Sequence, residues 1–381
     1  MIRVLLVMTA RQVGGAELYV ANLVEALSGK ACFTVAASDD PELQRLRARL
    51  STHSEVVPLS FDSGPALPGV LRRLRWLAGQ HEVVHLNSNH PASRLGIAVG
   101  LALGGRTPPL VAVEHRATEI GDVKTPAVLA PMLPAMFRRS RRGVAVTVAV
   151  SRENLQTLTG IYSLPPQRVR LIYYGVPLTA TDAAQPARRQ IEAELGLPPT
   201  ASLVLTPARL AANKGHRYLL EAAPAILAAH PSAHFLFAGA PDDPTPIEES
   251  IRALGLGGKV TLLGAREDMS RLLGAADVVV LPSLAEGLAL AVLEGLAAGL
   301  PVVATRAGGA AEAIEDGVSG FLVPPADAPS LGRAVVAALS MDPAARLALG
   351  RSARGRATYF SVDRMADEML ALYEEVGATR R

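Results

Sequence analysis

Short apolar runs alternate with amphipathic segments along almost the whole chain, and this alternation limits the folds open to it. Ile2–Met8, Cys32–Ala37, Glu55–Leu59, Val83–Leu86, Leu110–Glu114 and Val144–Val150 read as strands. Ala16–Leu27, Pro41–Leu50, Leu67–Leu77 and Pro91–Leu103 read as the helices between them. Uninterrupted apolar strands are covered on both faces, and strand–helix–strand order makes neighbouring strands parallel. Val169–Tyr173 continues the series. Thr179–Arg188 is rich in Ala, Thr, Asp and Pro without periodicity, and reads as a linker. The alternation then restarts with strands at Leu203–Leu205, His234–Ala238, Val260–Leu263, Asp277–Leu281 and Val302–Ala304. The expected class is therefore α/β with two parallel-sheet domains, residues 1–178 and 190–360. A last amphipathic helix, Val362–Val376, lies in residues 361–381.

Composition supports two packed cores. The chain has 381 residues and is 49% hydrophobic, but only 4% aromatic, so the cores are built from Ala, Val and Leu. Mean hydropathy is +0.26. The net charge of +3 is small, and acidic residues are interleaved with basic ones, which argues against a nucleic-acid surface. The single cysteine, Cys32, excludes an internal disulfide and a cysteine-based metal site. Met1–Met8 is too short for a signal-peptide core and reads as a first strand, so the expected location is the cytoplasm. No Asp-x-Asp pair is present to hold a divalent ion, and no metal or other cofactor is expected. Pro126–Arg142 ends in Phe137-Arg-Arg-Ser-Arg-Arg142. Arg138, Arg139, Arg141 and Arg142 suit either peripheral contact with an anionic membrane at its inner face or an ordinary helix C-terminus.

The densest chemical signal lies in Asp277–Thr305, DVVVLPSLAEGLALAVLEGLAAGLPVVAT. It reads as strand, loop, helix, turn and strand, with Gly299 and Pro301 closing the helix. Two carboxylates stand eight positions apart beyond the first strand. Glu286 is in the loop and Glu294 in the helix, about 12 Å apart along a helix axis. The loop after a parallel strand, at a helix N-terminus, is where open α/β sheets bind phosphorylated ligands. The plain alternative is that Glu286 suits the helix dipole and Glu294 faces water, yet their neighbours are nearly all apolar. Arg209 and Lys214 flank another helix start after Leu203–Leu205. Alone they read as two solvated cations, but the chain uses Arg almost everywhere and keeps a lysine here. A compact ammonium suits a phosphate. Gly14-Gly15 follows the first strand and is not G-x-G-x-x-G, so a nicotinamide or flavin fingerprint is missing. His115, after Leu110–Glu114, is on the ligand side of its sheet or is an ordinary satisfied histidine; His85 and His90 are weaker candidates on the adjacent loop.

These motifs resemble the retaining glycosyltransferases of family GT4, whose signature is two Glu residues separated by seven others before a Gly-x-Pro-Val-Val strand. Glu286, Glu294, Gly299, Pro301, Val302 and Val303 carry the match, with Arg209 and Lys214 before Gly215. Leu288 and Ala289 depart from the family's usual Phe-Gly, and Tyr174 from its usual Asn before Gly-Val. The resemblance implies the GT-B fold: two Rossmann-like domains face each other across a cleft, and a C-terminal helix crosses back to the first. It implies transfer of a hexose-type sugar from a UDP- or GDP-linked donor to a hydroxyl of a glycan, lipid-linked or secondary-metabolite acceptor, with retention and without metal. Arg209 and Lys214 would take the diphosphate, Glu294 the ribose and Glu286 the hexose hydroxyls. His115 would orient the same sugar, and Gly15 would face the donor phosphate. Gly239, Arg266, Leu288, Ala289 and Leu290 would line the nucleotide side. Another GT-B activity, such as a nucleotide-sugar epimerase, and a catalytically silent nucleotide-sugar binder are the alternatives.

Overall fold

The computed structural model describes all residues except 62–66, 88–96, 98–107, 116–142, 179–183, 242 and 379–381. His90 and the Arg138, Arg139, Arg141 and Arg142 cluster lie outside the described residues. The chain divides into two compact units, Met1–Gly175 with Val362–Arg381, and Val176–Ser361.

The first unit holds a seven-stranded parallel sheet. Its strands are β1 (Ile2–Met8), β2 (Ala31–Ser38), β3 (Glu55–Leu59), β4 (Val83–Asn87), β5 (Leu110–Glu114), β6 (Val144–Ala149) and β7 (Val169–Leu171). Their order is β3-β2-β1-β4-β5-β6-β7. The chain runs outward from β1 in one direction and resumes at β4 in the other, so the switch point lies between β1 and β4. β4, β5 and all of β1 beyond Arg3 are buried on both faces, which their largely apolar sequences allow, and the polar exceptions His85, Asn87 and Glu114 are buried with them.

The C-terminal helix, Val362–Ala378, belongs to this first unit. Met365, Ala366, Met369, Leu372, Tyr373 and Val376 form its buried stripe. Tyr373 is fully buried, stacks edge-on to Phe33 and pairs with His85 Nδ1 at 2.5 Å. Burial pushes the His85 imidazole down to about 3 and keeps it neutral. His85 is thus a pin for the last helix, and its Nδ1 is committed. Lys30–Asp367 and Arg170–Glu375 add exposed ion pairs of small worth.

The second unit holds a six-stranded parallel sheet in the order β10-β9-β8-β11-β12-β13. Its strands are β8 (Ser202–Pro207), β9 (Ala233–Ala238), β10 (Val260–Gly264), β11 (Val278–Leu281), β12 (Val302–Thr305) and β13 (Phe321–Val323). The switch point lies between β8 and β11, which are hydrogen-bonded neighbours. Val204, Phe235, Phe237, Val278, Val280 and Val303 supply the sheet side of one core, covered by Leu219, Leu220, Ile226, Leu331 and Val335.

The linker expectation needs correction. The chain leaves the first unit at Gly175, and a helix already runs over Ala184–Leu195. Polar anchors hold this helix. Arg188 binds Glu192 at 2.7 Å, Asp277 at 2.8 Å and the Ala275 carbonyl at 3.0 Å. A side chain that fixes a helix through carboxylates and carbonyls leaves little apolar periodicity to read.

Candidate active site

The topology of the second unit places two sequence motifs side by side. The loop after β8 carries Arg209 and Lys214, and the loop after β11 carries Glu286. Because β8 and β11 flank the switch point, the loops leave the same edge of the sheet as neighbours.

Each loop is locked by the other. Gly215 has φ +68°, and a Cβ there would stand 2.0 Å from the Pro282 carbonyl oxygen. Only glycine accepts both the left-handed backbone and the approach. Leu284 N–H donates to the Asn213 carbonyl at 2.7 Å, stitching the β11 loop to the turn Ala212–Lys214. On the other side, Gly308 has φ +58° and sits against the Glu286 and Gly287 carbonyls, where a Cβ would be 2.4 and 2.6 Å away. Gly309 N–H donates to Gly287 at 2.6 Å, and Thr305 Oγ1 to the Ser283 carbonyl at 2.5 Å. The Glu286 loop is therefore clamped from the ends of β8 and β12. Gly215→Ala is expected to lower the stability of this unit by about 1–3 kcal/mol, from backbone strain and displacement of the Pro282 loop. Thermal unfolding would check it, and an unchanged midpoint would contradict the packing.

Lys214 Nζ makes an ion pair and hydrogen bond with Glu286 Oε1, the two side chains being 19% and 12% exposed. Ser283 Oγ donates to the same carboxylate oxygen at 2.8 Å. Ser283 and Thr305 escaped the sequence reading. Their signal, small hydroxyl residues at the ends of adjacent strands, acquires meaning only when strand order is known.

The two helices that begin here start without a side-chain cap. His216–Ala229 follows Gly215, and Leu290–Ala298 follows Ala289. Ser151, Asp327 and Asp342 cap three helices elsewhere, while Thr245–Ala253 and Met269–Ala275, like the two here, have no side-chain cap. Uncapped first-turn N–H groups favour an anion. His216 is buried against Phe237, and burial, then the Lys214 charge, push its imidazole down to about 4. It stays neutral beside the ammonium.

Glu294 lies one turn into Leu290–Ala298, among buried Leu290, Val292, Leu293, Gly295 and Leu296. Its residue surface is partly exposed, but the carboxyl is enclosed enough that burial pushes it up to about 7. It has no hydrogen-bond or ion-pair partner among the described residues. A carboxylate held in apolar surroundings without donors is costly unless something supplies them.

The remaining residues divide. Arg209 is half-buried at the end of β8. Gly239 packs on its backbone, where a Cβ would be 2.2 Å from the Ala208 carbonyl oxygen and 2.7 Å from Arg209 N. Gly239 thereby positions the Arg209 loop. Ala289 lines a small cavity with Ser283, Glu286, Thr305 and Ala307. Leu288 and Leu290 are buried, with their side chains in the core. Arg266 is engaged by protein carboxylates, Glu194 at 2.6 Å and Asp268 at 2.8 Å, and Arg271 bridges the same two. That network holds the Arg266 guanidinium in place.

In the first unit, Gly15 opens the helix Gly15–Ala26 behind an N-cap at Gly14, whose N–H donates to Glu17 Oε2 at 2.9 Å. His115 is 7% exposed, and neither ring nitrogen is idle. Nε2 meets Asn87 Oδ1 at 2.5 Å, and Nδ1 meets the Tyr174 hydroxyl. Asn87 in turn donates to the Ala16 carbonyl at 3.3 Å. The assigned network gives a neutral ring with the proton on Nε2. Asn87, absent from the sequence reading, ties His115 to the first turn of the Gly15 helix, and Tyr174, noted there only as a departure before Gly-Val, engages the other ring nitrogen.

Two doubly wound parallel sheets, with a charged cluster at the switch point of the second, are the architecture of GT-B glycosyltransferases, and sequence kinship supplies the activity. The chain matches the family described as Glycosyltransferase Family 4 over residues 13–180 and Glycosyl transferases group 1 over 201–341. It is 30% identical to a D-inositol 3-phosphate glycosyltransferase of Segniliparus rotundus, over 94% of this chain and 84% of that one. It is 27% identical to an alpha-D-kanosaminyltransferase of Streptomyces kanamyceticus, over 95% of this chain and all of the relative. A crystal structure of Anabaena Alr3699/HepE with UDP-glucose superposes with a TM-score of 0.84 at 20% identity, covering 98% of this chain and 100% of that one. The chain belongs to the group 1, family 4 glycosyltransferases. Among the described residues, no helix is long and apolar enough to cross a membrane.

Proposed function

We propose that the enzyme transfers a hexose-type sugar from a UDP- or GDP-linked donor to a hydroxyl of a glycan, lipid-linked or secondary-metabolite acceptor, with retention at the anomeric carbon. The observation that carries this reading is the joined Lys214–Glu286 pair at the switch point, with Glu294, which has no partner among the described residues, one turn into the following helix. The names of the relatives support it, since they describe sugar transfer to inositol phosphate and transfer of kanosamine. The structural neighbour with UDP-glucose supports a nucleotide-sugar donor. Such a donor fits a cytoplasmic enzyme.

Each group has a task. Lys214, Arg209 and the uncapped first turns of His216–Ala229 and Leu290–Ala298 stabilise charge as it develops on the departing diphosphate. This is the work a divalent ion does in other transferases, so no metal is invoked. Glu294 accepts from the ribose hydroxyls, which supply the donors that its apolar site lacks. Glu286 holds hexose hydroxyls and is itself fixed by Ser283. His115 is assigned to orient the same sugar, and with its proton on Nε2, donating to it requires exchange of the Asn87 bond. The acceptor hydroxyl attacks the face from which the diphosphate leaves, and a phosphate oxygen takes its proton. Anomeric configuration is retained without a covalent sugar–enzyme intermediate.

Incubation with a panel of UDP- and GDP-sugars and polyhydroxylated acceptors tests this. Nucleoside diphosphate is expected to appear only when acceptor is present, with an axial donor giving an axial product by NMR. EDTA is expected to leave the rate unchanged. An inverted product, or full loss of turnover in EDTA, would overturn the corresponding part of the mechanism.

A further inference from the structure

The ammonium assigned to the diphosphate is already paired with the carboxylate assigned to the hexose. Lys214 Nζ contacts Glu286 Oε1, and that oxygen also accepts from Ser283 Oγ at 2.8 Å. Both side chains are mostly buried, which shields the pair from solvent and salt. The geometry leaves Glu286 little freedom to move away. Its loop is tied to Asn213 through Leu284, to β12 through Thr305, and to Gly309 through Gly287. A phosphate reaching Lys214 must therefore share the ammonium with a fixed carboxylate of the same sign.

We propose that Glu286 is a built-in competitor for Lys214 that makes the site prefer an intact donor over the spent diphosphate. The inference rests on the donor site described above and adds a means of discrimination and release to it. When the ligand carries a hexose, its hydroxyls donate to Glu286 and replace the hydrogen bond that Lys214 gives up. When the hexose has been transferred, nothing donates to Glu286. The carboxylate reclaims Lys214, and the diphosphate is left facing a neutralised cation and a like charge. Glu286 thus acts twice, holding the sugar before transfer and weakening the leaving group's hold afterwards. Ser283 is the positioning residue for both acts, since it keeps the carboxylate aimed while the partner changes.

The test is a binding cycle by calorimetry, using UDP, with GDP in parallel, on wild type, Glu286→Gln, Lys214→Ala and the double variant. Gln preserves the shape and the Ser283 bond while removing the charge. Glu286→Gln is expected to bind the free diphosphate about fivefold tighter or more, although its sugar transfer falls. The tightening is expected to vanish on the Lys214→Ala background, because the competition is for that ammonium. Unchanged or weaker binding by Glu286→Gln would overturn the proposal. So would tightening that survives without Lys214, which would mark a general charge effect. If Lys214→Ala weakens binding while Glu286→Gln does nothing, only the competition fails. If Lys214→Ala leaves binding untouched, or neither diphosphate binds wild type, the donor-site reading fails with it.

Discussion

Lys214→Ala is expected to lower kcat/KM for the nucleotide-sugar donor about hundredfold, about 2.7 kcal/mol of lost transition-state stabilisation. Lys214 sits in the turn Ala212–Lys214, held by the left-handed Gly215 against the Pro282 carbonyl. That placement fixes the root of the side chain, so the ammonium needs little reorganisation as charge gathers on the leaving group. The neighbouring His216 is buried and neutral and cannot take over the charge. Arg209 remains on the same loop, which limits the loss and keeps the variant measurable. Removal of Lys214 also leaves Glu286 with Ser283 but without its counter-ion. The effect therefore falls mainly on kcat for the intact donor. Lys214→Arg recovers only part of it, because a planar fork does not fit the place of a compact ammonium beside a clamped carboxylate. Steady-state kinetics decide the matter: wild-type kcat and KM in Lys214→Ala would remove the assigned site.

Much of this was legible in the chain because parallel strands announce themselves by composition. β11 is wholly apolar and β1, β8 and β12 are apolar through their middles, and the Glu286-to-Glu294 spacing straddles a loop and helix that glycine and proline delimit. Features that depend on strand order were hidden. Glu194 and Arg266 are 72 positions apart, and only the fold shows that the cation following β10 is paired with a carboxylate from Ala184–Leu195. His115 was expected to offer its ring to a sugar. Only the fold shows what holds the ring: its two nitrogens meet Asn87, 28 positions before it, and Tyr174, 59 positions after it. Cys32 follows the apolar pattern of its strand yet is exposed, between buried Ala31 and Phe33. Helix boundaries were least legible where polar groups do the anchoring, as at Arg188.

Glu294→Gln is expected to stabilise the protein and cripple donor use together, and the two effects separate by pH. The carboxyl stands at about 7 when folded, above its ordinary value near 4.5, with burial as the cause. The native state therefore holds its proton more tightly than the unfolded chain. Stability from this group is fully present below the ordinary value and is lost as pH rises towards and through 7. The total is about 3 kcal/mol, and glutamine, which does not ionise, escapes it. At pH 8 the variant is expected to unfold at higher temperature or denaturant than wild type, and near pH 4 the gap closes. His85 and His216 also titrate on acidification, but they contribute equally to both proteins and cancel in the difference. Donor binding runs the other way. Ribose hydroxyls donate best to the ionised carboxylate, so donor binding by wild type strengthens from pH 6 to pH 8, where the two phosphates of a nucleotide sugar do not titrate. Glu294→Gln flattens that rise and loses tenfold or more in donor kcat/KM, at least about 1.4 kcal/mol. Equal stability at pH 8 would show that the carboxyl is not buried at cost. A donor-binding profile that kept its slope in the variant would assign the proton, and the ribose, to another group.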